Sequence, residues 1–376
     1  MKNQNKIDAH QHIVPLSSQI PKSIKKAGYY DTEERDGKQF MTQNFIKWQR
    51  PVSDKIFFLE PRLEFMAKHN IVHAGILTLS QFYCNLINKS ATLDIIKFQN
   101  DFHLEIQEQH PTKFSCGFVV QPRYINEALD EIMTRVDQGL KFLCLPTHYK
   151  TSKREGSKWV SCTDKNCERI FELANHLYLP VQFHPYDYEE FIRLDDLNSF
   201  WSGHTKAMGF LTGHLFDQFT LKNFHLKYPK MRTYFSHANL TAITTMGRTV
   251  QAWSGRPDLF PNVEESPSTS LKSKNIFYDT ITHDPDVLNL LLKKISQEQL
   301  MFGTDIPYPL GEGIPYVNKN EYPGCVLDKL LSLDSIGFRR NGSEKENIGY
   351  KNFANWLYGE NFIEKEKFFD SLIYQI

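Results

Sequence analysis

The chain has 376 residues, enough to bury a large core as one α/β barrel with insertions or as two domains. Its 44 basic and 44 acidic residues cancel with no block of like charge, which excludes the positive field a nucleic-acid binder needs. No run of about 18 apolar residues occurs, no apolar leader precedes the first strand, and six cysteines make no disulfide framework, so the expected setting is a reducing cytoplasm with no membrane partner.

The first element is a short strand over residues 6–15 that ends in His10-Gln11-His12. Side chains alternate along a strand, so His10 and His12 point the same way and two imidazoles can grip one divalent ion from one side. The polar stretch 16–53, with Gly28-Tyr29-Tyr30 and Asp36-Gly37-Lys38, is expected to be a loop or small hairpin rather than core. A helix over 54–69 leads to a second strand at 72–80, a long helix at 88–110 and a third strand at 114–120. A helix at 126–138, stopped by Gly139, leads to a fourth strand at 141–146.

A polar insertion at 150–163 precedes a helix ending near His176 and a fifth strand, 180–185, which carries His184. Cys162 and Cys167 within this region read as two unrelated thiols. Residues 201–228 are helical by pattern, and the sixth strand, 231–237, ends in His237. The seventh strand covers 275–281 and the eighth, 300–305, ends in Asp305. The tail from about residue 323 is helical by composition, most clearly at 352–357.

Short apolar runs alternating with helices predict an α/β fold of the (β/α)8 TIM-barrel type, one domain over 1–376 with a small insertion around 16–53. In such barrels catalytic residues gather where strands end on one face. His10, His12, His184, His237 and Asp305 all fall there, which predicts a metal site. Three imidazoles and a carboxylate leave room for a water whose pKa the ion lowers to about 7. His237 then serves as acid/base, as a further ligand or as a structural histidine, and Asp305 as ligand, base or both. His148, just beyond the fourth strand, is expected beside the ligands or in a substrate pocket. His69, His73, His103, His110, His176 and His225 lie on helices or strand starts and read as structural or surface residues.

These residues carry a resemblance. The segments Ile7-Asp8-Ala9-His10-Gln11-His12-Ile13-Val14-Pro15, Phe183-His184-Pro185-Tyr186-Asp187, Gly247-Arg248 with Arg256-Pro257-Asp258-Leu259, His283-Asp284-Pro285 and Gly303-Thr304-Asp305-Ile306-Pro307-Tyr308-Pro309-Leu310-Gly311-Glu312 occur in this order across nearly the whole chain. With them the chain resembles the amidohydrolase superfamily, and within it the 2-amino-3-carboxymuconate 6-semialdehyde decarboxylase branch. The resemblance implies one Zn2+ per chain, with other divalent metals possible, held by His10, His12, His184 and Asp305, with His237 as acid/base. It implies protonation of an unsaturated carbon beside a carboxylate, followed by loss of CO2. It also implies that Arg248 reaches the carboxylate of a small-molecule substrate across a homodimer interface, and that Tyr186 and Tyr308 flank that substrate.

Three features depart from the family pattern, one of them the 150–163 insertion, which has no counterpart in it. The glycine run after the acid/base histidine is here His237-Ala238-Asn239-Leu240. The arginine expected shortly after Asp36-Gly37-Lys38 is not at the matching place; Asn44 sits near it, and Lys47 or Arg50 would substitute only with a shift of the loop. A hydrolase or hydratase using the same metal hydroxide is the alternative enzyme reading, and a binding protein on an inactive barrel is the third.

Overall fold

Eight parallel strands follow one another around a nearly closed barrel: β1 (Lys6–His12), β2 (Ile71–Leu77), β3 (Phe114–Val119), β4 (Phe142–Pro146), β5 (Val181–His184), β6 (Thr233–Phe235), β7 (Ile276–Asp279) and β8 (Leu300–Met301). They are almost wholly buried, as expected of parallel strands covered on both faces. The computed structural model describes residues 5–152, 156–186, 199–308, 310–311 and 346–373. Beyond β8 the ring is completed by backbone bonds from Ala9 N–H to Phe302 O (2.8 Å) and from Asp305 N–H to His10 O (2.8 Å).

Helices cover the outside, and local sequence explains where they start. Asn88 accepts a hydrogen bond from Ala91 N–H and caps α1 (Lys89–Gln109). Asp164 caps α2 (Lys165–His176), which buries Cys167, Ile170, Phe171 and Ala174 at helical spacing and sets Phe171 against Phe183 of β5. On the far side, α3 (Met208–Leu221) packs against α4 (Leu240–Gly255). Gly213 is needed there, since a Cβ would come within 2.7 Å of Thr241 Cβ.

The start of the last helices seals the barrel. Trp356, on α5 (Asn352–Tyr358), is fully buried, with its ring centroid 4.9 Å from Phe142 and 5.5 Å from Tyr234. Its backbone oxygen accepts from Arg232 Nε at 2.6 Å, and Asn352 Nδ2 donates to Leu300 O at 2.6 Å. These partners lie at strand starts, so α5 stoppers the amino-terminal end. The helical piece expected at 352–357 is this helix; residues 323–345 of the expected tail lie outside the described residues.

The 16–53 segment corrects the expectation. It folds as a three-stranded antiparallel sheet of Asp31–Arg35, Lys38–Gln43 and Trp48–Val52, turning through Asp36-Gly37, both with positive φ (+49° and +71°). Ile20, Ile24, Tyr30 and Met41 are buried in a second apolar cluster with Phe82, Tyr83, Tyr186 and Tyr308. The segment looks polar because its strands are one-sided, and averaging over both faces hides the buried one. The 150–163 insertion holds a two-stranded hairpin, His148–Lys150 with Trp159–Ser161, and its residues 153–155 lie outside the described residues.

Candidate active site

The carboxyl ends of the strands bring the five predicted side chains together. His10 Nε2 lies 3.2 Å from His12 Nε2, and Asp305 Oδ1 lies 3.4 Å from each. The His184 ring centroid is 5.4, 5.2 and 5.0 Å from those of His10, His12 and His237. His237 Nε2 stands 3.7 Å from Asp305 Oδ2. Ligand atoms of His10, His184, His237 and Asp305 all lie within 4.8 Å of one another.

Proton placement decides what these atoms can hold. His10 Nδ1 faces Asp279 Oδ2 at 3.1 Å, His12 Nδ1 faces Leu77 O at 3.2 Å, and His184 Nδ1 faces Pro185 O at 2.8 Å. Each of these acceptors calls for a proton on Nδ1. Burial pushes the His12 imidazole down to about 3 and holds His10 well below its ordinary value, so both rings are neutral. The Nε2 atoms of His10 and His12 therefore meet lone pair to lone pair, and no hydrogen bond joins them. Beside them, Asp305 Oδ1 is buried and accepts no hydrogen bond among the described residues. Converging lone pairs in a buried cluster call for a cation. The donor set, imidazole nitrogens with one carboxylate oxygen, fits a divalent metal ion.

Asp279, the last residue of β7, organises this cluster from behind. It accepts from Tyr234 Oη (2.6 Å), His237 N–H (2.9 Å), Ala238 N–H (2.6 Å) and Ile281 N–H (3.1 Å), besides holding His10. The turn it clamps is strained: His237, Ala238 and Asn239 have φ of +56°, +55° and +51°. Asp305 (+56°) and His283 (+57°) share that left-handed conformation, which costs a non-glycine residue about 1–2 kcal/mol. Burial raises the Asp305 carboxyl to about 7, against the pull of His184 and His283.

A cavity of about 230 Å³ opens in front of these side chains, with Met208, Leu240 and Ile281 in its apolar wall and Arg50, His204, His283 and Tyr308 among its polar groups. Arg50 reaches it without any loop shift. It pairs across the small sheet with Met41, which is buried, so both face inward. Its guanidinium lies 4.8 Å from the Tyr308 ring and 5.4 Å from Trp201.

The remaining predicted residues fall elsewhere. Tyr308 lines the cavity, its ring 5.4 Å from His12. Tyr186 does not; it sits between Tyr83 (6.3 Å) and Trp159 (5.9 Å) in the second apolar cluster. His148 is buried and stacked on His214 at 5.7 Å, outside the cavity lining. Arg248 is exposed on α4 and does not reach its own chain's cavity. His73, His103 and His225 are buried and hydrogen-bonded, in keeping with structural roles. Asp279, Tyr234, His204 and His283 were not singled out as site residues. Asp279 ends the observed strand, whereas the strand expected over 275–281 placed it two residues short of the end.

The amidohydrolase family model matches residues 7–322. The chain belongs to the amidohydrolase family. It is similar to the 2-amino-3-carboxymuconate-6-semialdehyde decarboxylase of Caenorhabditis elegans, 23% identical over 355 residues, covering 82% of this chain and 86% of that protein. The enzyme of the same name from Dictyostelium discoideum is 22% identical over 339 residues, covering 89% and 91%. Among solved structures, the dihydroxybenzoic acid decarboxylase of a Polaromonas species, with bound manganese and 2-nitroresorcinol, superposes with a TM-score of 0.69 at 14% identity, covering 94% and 97%. The amidohydrolase barrel is thus shared with a manganese-binding protein. Among the described residues no helix is long and apolar enough to cross a membrane.

Proposed function

We propose that this amidohydrolase is a metal-dependent, non-oxidative decarboxylase of a small unsaturated or aromatic carboxylate. The observation that carries the reading is the convergence of buried imidazole lone pairs and the Asp305 carboxylate at the floor of a cavity that has an arginine in its wall. The decarboxylase names of the two curated relatives support the reaction class.

His10, His12, His184 and Asp305 would hold one divalent ion, zinc by resemblance or manganese as in the structural neighbour. Such an ion supplies Lewis-acid stabilisation of a developing oxyanion and a water of lowered pKa. His237 moves the proton. Burial and the nearby imidazoles hold its pKa well below the ordinary value, so it rests neutral; it relays a proton from water to the carbon that bears the carboxylate, and the hydroxide left behind recovers a proton from solvent. The bond from that carbon to the carboxylate then breaks. Its electron pair stays on the carbon and restores the unsaturation, and CO2 departs.

Arg50 meets a substrate carboxylate in the role the family gives to an arginine earlier in this segment, and its planar fork suits a paired hydrogen bond. Arg248, exposed on α4, serves the cavity of a second copy in a homodimer. Tyr308 flanks the substrate, while Tyr186 and His148 support the surrounding loops. The whole chain acts as one barrel domain in the cytoplasm.

The test is elemental analysis of the purified protein, then CO2 release from a panel of muconate-semialdehyde and hydroxybenzoate carboxylates. Metal near one per chain with CO2 from one substrate class is the expected result. Metal without CO2 turns the reading to a hydrolase or hydratase, and absence of metal overturns the site.

A further inference from the structure

Among the described residues, the proposed ligands straddle the one join of the barrel that no regular ladder holds. His10 and His12 lie on β1 and Asp305 follows β8, a strand of two residues, and the two strands meet through an isolated bridge at Gln11 and Ile306. On its other side, β1 shifts register against β2 between Asp8 and Gln11, the stretch that contains His10. Single backbone bonds, from Asp305 N–H to His10 O (2.8 Å) and from His12 N–H to Ile306 O (3.1 Å), join the ligand segments here, and a join this short leaves room for a further tie to hold their spacing.

Side chains beneath the ligands supply that tie. Asp8 Oδ1 accepts from His10 N–H (3.1 Å) and Thr304 N–H (3.0 Å), and Oδ2 accepts from Thr304 Oγ1 (2.5 Å) and Gln11 Nε2 (2.7 Å). The Gln11 Oε1 atom accepts from an Arg62 guanidinium nitrogen at 2.5 Å. The other terminal nitrogen of Arg62 donates to His12 O (2.5 Å) and Lys55 O (2.6 Å). Asp8, Gln11, Arg62 and Thr304 are all fully buried. A Cβ on Gly303 would lie 3.0 Å from Asp279 Cβ and 3.3 Å from His10 Cβ, so the seam is also packed tight at this level.

We propose that Asp8, Gln11, Arg62 and Thr304 form a buried relay that fixes the spacing of the β1 ligands from Asp305, with Thr304 and Arg62 as positioning residues for the metal centre. The inference rests on the ligand set of the proposed function. Apart from Lys55 O, the partners given above for these side chains are a ligand's backbone or another member, and none of the four residues lines the cavity. The relay therefore acts on geometry and not on substrate. Outer partners of this kind typically change metal affinity about 10–100-fold when removed.

The experiment uses the full chain with cobalt(II) as probe, reading its visible absorption spectrum and dissociation constant alongside the melting temperature of the metal-free protein. Thr304→Val keeps side-chain shape and removes the hydroxyl donor. It is expected to weaken cobalt binding about 10–100-fold and to alter the spectrum, while Thr304→Ser restores both. Arg62→Lys, which loses the fork, is expected to shift both readouts in the same direction as Thr304→Val. Wild-type cobalt affinity and spectrum in Thr304→Val, or a serine variant no better than valine, would overturn the relay. Wild type that binds cobalt but releases no CO2 overturns the decarboxylase reading alone, and wild type that binds no cobalt overturns both.

Discussion

The two ends of the barrel are made by the same eight strands and hold opposite kinds of structure. At the amino-terminal end, Trp356 is buried among Phe142 and Tyr234 and its segment is tied by hydrogen bonds through Arg232 and Asn352. At the carboxyl-terminal end, His237, Ala238, Asn239, His283 and Asp305 all adopt the left-handed conformation, and buried imidazoles turn lone pairs toward one another. A buried aromatic cluster marks the amino-terminal end, and a run of left-handed residues marks the ends of the strands that carry the site. The division teaches that stability and chemistry are separable along a strand only a few residues long.

Substitutions at the two ends should therefore fail in different assays. The largest effect is expected at the carboxyl-terminal end: His10→Ala or Asp305→Ala should strip metal and activity together. His237→Ala should keep its metal and lose about 10²–10⁴-fold in kcat, and full turnover in that variant would remove it from the proton path. At the amino-terminal end, Trp356→Ala should cost about 3–5 kcal/mol in urea unfolding while the folded fraction retains its metal; loss of metal at unchanged stability would break the separation.

A smaller effect belongs to the cavity wall. Arg50→Ala should raise KM about tenfold or more, the loss of a charged hydrogen bond of about 1.5–3 kcal/mol, with metal content unchanged. An unaltered KM would take Arg50 off the substrate. The smallest effect tests the flank between the two ends. Asp217 is largely buried on α3, and burial pushes its carboxyl up to about 6 from 3.8 despite a hydrogen bond with Thr249. Between those values the folded chain binds more protons than the unfolded one, so this residue's contribution to stability is lost as pH rises through the window. Asp217→Asn should stabilise the fold at neutral pH by about 1–2 kcal/mol, allowing for partial exposure, and the gain should shrink on acidification. A gain independent of pH would assign the effect to something other than this proton.

Much of this was legible in the sequence because strand alternation and strand ends are one-dimensional signals. His10 and His12 two apart, His184 and His237 closing apolar runs, and Asp305 after Leu300-Met301-Phe302 needed only the rule that barrel chemistry gathers at one face. Asp279 ends β7 in the structure, but the apolar pattern carries the expected strand on to Ile281 and so places Asp279 inside it rather than at its end. Arg50 was legible only as a candidate beside Lys47 and on condition of a loop shift: its aim depends on pairing with Met41, a register between two segments that periodicity within either cannot supply. Arg62 was hidden for a different reason. In Glu60-Pro61-Arg62-Leu63-Glu64 it reads as one more charge on a solvated helix face, yet it is fully buried.

The left-handed turn after β6 also bears on how this chain can change over generations. Ala238 has φ of +55° and no exposed surface, with its amide held by Asp279. Few residue types accept that backbone: glycine freely, asparagine and aspartate at some cost, β-branched residues hardly at all. Valine and threonine, each one nucleotide change from alanine, are closed to it. Drift at this position next to His237 is thus confined to a narrow set of small steps, and a saturation library at position 238 should return glycine and alanine with almost nothing larger.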